Sequence, residues 1–293
     1  MSIFLIELLL QYYILRFALS QAHSRPVVNS TKTTGRSYWL KSNITNDMSS
    51  ERMIGHIMRE IVHPDVYYKW IRPKSSGKAE RVGISINILS VDDVDLFNMD
   101  VTLDFYFRQY WLDERLSYYD YGYNQTLQPG HEFVSSIWRP DLSIIEERRR
   151  DELNVHGCHL HDCFIRVEPN GAVTLSKRTT ARLRCQMDIY LYPFDVHSCQ
   201  MSIESYGHST RDMTLYMYDQ VSSQTGRWFN AEARLLSEYK VTPHASYETN
   251  ATTSTGTYDR LVLPFDLIRL IGNDAWHVFL PCNLIVIISW IPF

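Results

Sequence analysis

Cysteines and cationic strand residues carry most of the chemistry open to this sequence. Cys185 and Cys199 enclose 13 residues, QMDIYLYPFDVHS. In an oxidising compartment four of the five cysteines can pair, and closing a ring of that size is worth about 3 kcal/mol in the chain-entropy picture. Cys158 and Cys163 lie in the run HGCHLHDC, whose three histidines and two cysteines also suit a zinc ion. In a secreted chain a short local disulfide is the favoured reading, which leaves no metal site. Strand alternation brings a second group together. Phe105 and Phe107 take the core side, so Tyr106 and Arg108 share the opposite face. Thr174, Ser176 and Arg178 share one face of a later strand, with Arg166 across the Pro169-Asn170-Gly171 turn. Arginines, hydroxyls and a tyrosine so placed make either an anion clamp or a solvated, charged sheet edge. A Gly-rich phosphate loop is missing, and no nucleophile–base or metal-ligand spacing is convincing, so neither an enzyme nor a cofactor is expected.

The elements that position these residues are mostly strands. Residues 51–62, ERMIGHIMREIV, put Met53, Ile54, Ile57, Met58 and Ile61 at helical spacing, which predicts one short amphipathic helix. After Pro73 the period changes to two. Val82, Ile84, Ile86 and Ile88 point one way, and Met99, Val101, Leu103, Phe105 and Phe107 repeat the pattern. Turn signals recur at Pro129-Gly130, Pro169-Asn170-Gly171, Gly207 and Gly226. Many short strands without an internal repeat give an all-β class and a β-sandwich.

Composition bounds the rest. The 293 residues are 45% hydrophobic and 21% charged, which is globular material. Lys+Arg at 29 against Asp+Glu at 33 gives −4, with no basic surplus for nucleic acid. Residues 1–20, MSIFLIELLLQYYILRFALS, read as a signal peptide with small residues Ala18 and Ser20 near its end, or as an amphipathic core helix. Residues 21–50 are a polar, loose arm. Asn29, Asn43, Asn124 and Asn250 each begin a glycosylation tripeptide, which suits a lumenal route. Residues 277–293, including VFLPCNLIVIISWIPF, read as a membrane helix that the chain does not clearly finish, or as a buried terminal strand; Cys282 lies within it.

The run Cys185-Gln-Met-Asp-Ile-Tyr-Leu-Tyr-Pro-Phe-Asp-Val-His-Ser-Cys199 resembles the signature loop of the Cys-loop receptors, the pentameric ligand-gated ion channels. The resemblance continues in Phe107-Arg-Gln-Tyr-Trp111 with Asp113-Glu-Arg-Leu116, in Trp138-Arg-Pro-Asp141, in Glu204-Ser-Tyr-Gly207, in Ser254-Thr-Gly-Thr-Tyr258, in Arg269 and in Leu280-Pro-Cys282. It implies an immunoglobulin-like extracellular sandwich of about ten strands over 51–272, a short N-terminal helix, and four membrane helices. Only the first of those is visible, so the chain looks like a fragment or truncated product.

Within that family the sequence is similar to γ-aminobutyric acid receptor subunits, the anion-channel branch. A zwitterion of that kind needs a cationic donor for its carboxylate, and a carboxylate with aromatic faces for its ammonium. The resemblance then implies a complementary face of Tyr106, Arg108, Arg166, Thr174 and Ser176. It implies a principal face of Glu204, Ser205, Tyr206, Thr255, Tyr258 and Arg260. It implies coupling to the channel through Tyr192, Pro193, Phe194 and Asp195, with Arg269 pairing an acidic residue at the junction. Ser143 stands where an aromatic usually follows the WxPD motif, so one wall of the ammonium cage is missing. The expected partners are an amino-acid neurotransmitter, related subunits in a homo- or hetero-pentamer, and membrane lipid, at a postsynaptic plasma membrane. The alternatives are a non-conducting transmitter-binding or dominant-negative protein and a secreted β-sandwich adhesion module.

Overall fold

Helix α1 (Ser50–Ile61) forms where the 3.6-residue spacing predicts it, with Ile57 and Ile61 buried and Met53, Ile54 and Met58 packed beside them. Pro64 follows shortly, and a residue before proline is poorly suited to continuing a helix. The computed structural model describes residues 50–73, 77–148, 163–219, 228–230, 236, 238–274 and 279–290. The leader, the arm, Asn29, Asn43 and the zinc alternative at residues 156–161 lie outside the described residues.

Among the described residues ten strands follow: β1 (Glu80–Asp95), β2 (Asp100–Leu112), β3 (Leu142–Ile144), β4 (Cys163–Val167), β5 (Ala172–Arg184), β6 (Val196–Ser205), β7 (Met213–Met217), β8 (Tyr239–Pro243), β9 (Tyr247–Thr253) and β10 (Gly256–Arg269). They make two five-stranded sheets. One runs β4-β5-β2-β1-β7; the other runs β3-β6-β10-β8, with β9 also paired to β10. The core between them holds Val82, Ile84, Ile86 and Ile88 from β1 and Leu103, Phe105 and Phe107 from β2, all nearly or wholly buried. The all-β sandwich with a short N-terminal helix is therefore the observed fold.

Two details differ from expectation. The strands are not all short, since β1, β2, β5 and β10 have 13 to 16 residues. Met99 is not in the alternation: it sits in the β1–β2 turn with φ 57° and is partly exposed, and β2 starts at Asp100. A left-handed residue reverses the chain there, so the apolar period resumes only at Val101.

Beyond β10 come α2 (Ile271–Asp274) and α3 (Leu280–Ser289), the latter with Pro281 in its first turn. Among the described residues no helix is long and apolar enough to cross a membrane. The exposed side chains of α3 include Leu284, Ile285, Val286, Ile287 and Ile288.

Candidate functional site

The anion clamp assembles from strand register. Across β4, β5 and β2, Arg166 is opposite Thr174, which is opposite Tyr110; Phe164 is opposite Ser176, which is opposite Arg108; and Arg178 is opposite Tyr106. Tyr106, Arg108, Arg166, Thr174 and Ser176 thus come together on one face, as alternation requires. The turn joining β4 to β5 depends on Gly171, whose φ is +87° and whose added Cβ would lie 2.3 Å from the Asp113 carbonyl oxygen.

Charge pairing separates the arginines of this face. Arg178 donates to Asp104 at 2.6 Å, so its charge is already neutralised within the sheet. Arg108 lies over the Tyr106 ring at 5.4 Å and Arg166 over Phe164 at 5.9 Å. Among the described residues neither of these two has a carboxylate partner. Burial pushes the Tyr110 hydroxyl above its usual pKa, although Arg108 pulls the other way, so Tyr110 remains a neutral donor beside them. Asp104 is the residue the sequence reading missed. It shares strand parity with Tyr106 and Arg108, which was the available signal.

The second group lies on β3, β6 and β10, where Ser143, Glu204 and Arg260 stand in one row. Glu204 Oε2 accepts from Arg260 Nε at 2.8 Å and Nη2 at 2.7 Å. The Ser143 hydroxyl donates to the Glu204 carbonyl at 3.3 Å. Tyr206 is 78% exposed. In the β9–β10 hairpin the Thr255 hydroxyl and the Tyr258 hydroxyl are 2.9 Å apart. Ser205 is the exception. It is buried, its hydroxyl donates to Asp141 at 2.6 Å and accepts from the His208 amide at 2.9 Å, and it serves the scaffold. Asp141 also accepts from the Gly207 amide at 2.6 Å, so the WxPD aspartate fixes the turn that carries Tyr206.

At the other end of the sandwich, Cys185 and Cys199 form a disulfide. It links the end of β5 in one sheet to β6 in the other. The enclosed loop turns Ile189, Tyr190, Leu191 and Phe194 outward and Asp195 inward. Asp195 accepts from Arg269 Nε at 2.7 Å and Nη2 at 3.0 Å, and both residues are buried. Arg269 also lies 4.9 Å from the Tyr192 ring and 4.7 Å from the Tyr239 ring. Burial opposes the Asp195 charge, but the Arg269 hydrogen bonds and charge prevail and hold its carboxyl below the usual range. Buried His197 places Nε2 2.7 Å from Asp195, a contact that the sequence reading did not anticipate.

Asn124 and Asn250 are both exposed, as acceptors must be. Cys163 is disulfide-bonded, while the expected Cys158 lies outside the described residues. Among the described residues no group of three His, Cys, Asp or Glu side chains is arranged to hold a metal.

Residues 51–271 match the family model described as neurotransmitter-gated ion-channel ligand binding domain. The chain is also 33% identical over 223 residues to the γ-aminobutyric acid receptor subunit beta-4 of Gallus gallus. That match covers 76% of this chain and 44% of the relative, so the chain spans less than half of that protein's length.

Proposed function

Since the chain belongs to the neurotransmitter-gated ion-channel family, the Cys-loop receptors, and carries their ligand-binding domain, we propose that it binds γ-aminobutyrate or a similar amino-acid transmitter between subunits. This is a channel family and not an enzyme family. The observation that carries the reading is the pair Arg108 and Arg166. Two guanidiniums beside Tyr106, Thr174 and Ser176 have no carboxylate within the described residues, and a transmitter carboxylate supplies one. From a neighbouring subunit, Glu204 with the rings of Tyr206 and Tyr258 receives the ammonium. Arg260 holds Glu204 in place until then, and Thr255 positions Tyr258. Ser143 leaves the ammonium end more open.

Binding draws the β9–β10 hairpin inward, and the loop from Tyr192 to Asp195, exposing Phe194, presses on a membrane domain through the rigid Asp195–Arg269 junction. Ligand must favour the open-competent state for this to move any equilibrium. The assembled protein is a homo- or hetero-pentameric chloride channel of the plasma membrane, at a postsynaptic site, with lipid around its membrane helices and glycans at Asn124 and Asn250.

The test is a chimaeric channel that places residues 51–271 ahead of the membrane region of the beta-4 relative. γ-Aminobutyrate should evoke currents. Arg108→Ala and Arg166→Ala should each raise the half-maximal concentration about tenfold or more, the worth of a charge-assisted hydrogen bond. Currents from no amino-acid transmitter, or dose–response curves that neither substitution moves, would overturn the reading. Phe194→Ala should shift sensitivity without changing equilibrium binding.

A further inference from the structure

In the proposed assembly each subunit presents both halves of a transmitter site: Tyr258 and Arg260 on β10 to one neighbour, and the clamp beside Tyr110 on β2 to the other. We propose that Asp259 is a positioning residue that latches these two faces together, so that a displacement of the β9–β10 hairpin is felt at the clamp. The roles of the two faces rest on the transmitter reading; the latch rests on contacts within one chain.

Alternation sends Tyr258 and Arg260 to one side of β10 and Asp259 to the other. There the Asp259 carboxylate accepts from the Leu215 amide of β7 at 2.8 Å. Among the described residues β7 is an edge strand of its sheet, and just beyond it the Tyr218 amide donates to the Ile84 carbonyl of β1 at 2.8 Å. Backbone donors alternate in direction along a strand, so the Leu215 amide, three residues earlier, points away from β1 to the free edge. A donor in that place needs an acceptor, and Asp259 supplies it from the opposite sheet. A second bond lies alongside, from the Thr210 amide to the Thr257 carbonyl at 2.9 Å.

The other side of β7 reaches the clamp. Gly83 of β1 stands between Tyr216 of β7 and Tyr110 of β2 in one row, which continues through Thr174 to Arg166. The Tyr218 ring stacks on Tyr110, with centroids 3.8 Å apart and planes at 11°. A Cβ on Gly83 would lie 3.0 Å from the Tyr216 ring and 3.1 Å from the Tyr218 ring, so a glycine is what lets the tyrosines lie this close to the sheet. From Asp259 to Arg166 there is thus a chain of direct contacts: a hydrogen bond to β7, a ring stack onto β2, and strand pairing. The start of β7 is held still. Arg72 pairs with the Asp212 carboxylate at 2.8 Å, and the Glu80 amide donates to the Asp212 carbonyl at 2.8 Å. Movement imposed at Leu215 is therefore passed on to the tyrosines and not absorbed before β7.

The test is hydrogen exchange of the full chain, read by mass spectrometry without transmitter, in Asp259→Ala, Asp259→Asn and Tyr218→Ala. Asp259→Ala removes the acceptor and should speed exchange about tenfold across residues 213–218 and 247–260, the worth of one hydrogen bond. It should also speed exchange in residues 106–112, which contain Tyr110, and leave residues 50–61 of α1 unchanged. Asp259→Asn keeps a side-chain oxygen and should leave all of these regions near wild type. Coupling is reciprocal, so Tyr218→Ala, at an exposed position, should speed exchange in residues 247–260 about threefold, the worth of a ring stack. That effect should vanish in the Asp259→Ala background. Faster exchange confined to residues 213–218, an equal rise in α1, loss of protection in Asp259→Asn, or a Tyr218→Ala effect on the hairpin that survives Asp259→Ala would each overturn the latch. No transmitter enters these comparisons, so failure here is distinguishable from failure of the transmitter reading.

Discussion

Arg269, the last residue of β10, closes a two-pronged hydrogen-bonded ion pair with Asp195 inside the disulfide-bounded loop, and tyrosine rings lie against the guanidinium. The partners are 74 residues apart in the chain. The pair anchors the loop from within while its apolar tip stays exposed. Removing one partner of a buried pair leaves the other charge uncompensated, which costs about 3–5 kcal/mol. Asp195→Asn should therefore lower the stability of the domain by that order, read from the urea midpoint at constant m-value.

The same pair sets an acid limit. The folded pKa of Asp195 is depressed, so its contribution is complete above the unfolded value of 3.8 and is lost as pH falls through the folded one. Tyr239, beside it, behaves oppositely. Burial is the main cause that pushes its hydroxyl from 10.0 up to about 12, so its contribution is complete below pH 10 and fades as pH rises through about 12. Stability measured against pH should fall at both extremes. Asp195→Asn should flatten the acid limb, and Tyr239→Phe the alkaline one. A wild-type acid limb retained in Asp195→Asn would show that other carboxylates cause it.

The covalent ring is the second anchor. Cys185 follows β5 and Cys199 lies in β6, so their bond ties the two sheets together covalently, beside the backbone bridge between Glu147 and Leu183. Replacing both by Ser should cost about 3 kcal/mol, the loop-closure contribution for a ring of this size. Peptide mapping without reduction should recover the two cysteines linked to each other. Recovery of both as free thiols from folded protein would contradict the structure.

The sheets were legible because burial on one side imposes a period of two, and β1 and β2 obey it from Val82 to Ile88 and from Val101 to Phe107. The face shared by Tyr106, Arg108, Thr174 and Ser176 followed from the same parity. Partner choice was not legible. Whether an outward arginine is neutralised depends on which strand lies beside it, and the order β4-β5-β2-β1-β7 is not written in any local pattern. That is why Arg178 and Arg108 read alike in sequence and differ in the fold. Ser205 is a similar case: a hydroxyl beside Glu204 looks available until Asp141, 64 residues earlier in the chain, is found bonded to it.

Gly171 ties the site to the turn beneath it. Its positive φ disfavours any side chain, and a Cβ there would collide with the Asp113 carbonyl. The Gly171 carbonyl also accepts from the Asp113 amide at 3.0 Å. Gly171→Ala should destabilise the domain by at least about 2 kcal/mol through left-handed strain and the clash. It should also weaken transmitter binding, because Arg166 and Thr174 flank this turn. Unchanged stability would mean that the turn relaxes without cost.

Arg108 and Arg178 face the same way from neighbouring strands, and substituting each tests whether pairing determines role. Arg108 has no carboxylate partner among the described residues, so Arg108→Lys should leave the urea midpoint within about 0.5 kcal/mol of wild type. It should still lower agonist affinity about tenfold, since lysine keeps the charge but loses the planar fork. Arg178 supports Asp104, which is nearly buried, whereas Arg178 itself is more than half exposed. Solvent screening reduces the value of that pair, so Arg178→Ala should cost about 1–2 kcal/mol, with little change in affinity. The two readouts should therefore cross over. If Arg178→Ala weakens agonist binding as strongly as Arg108→Lys does, then ion pairing within the sheet does not separate scaffold from site, and the division of this face into two roles is wrong.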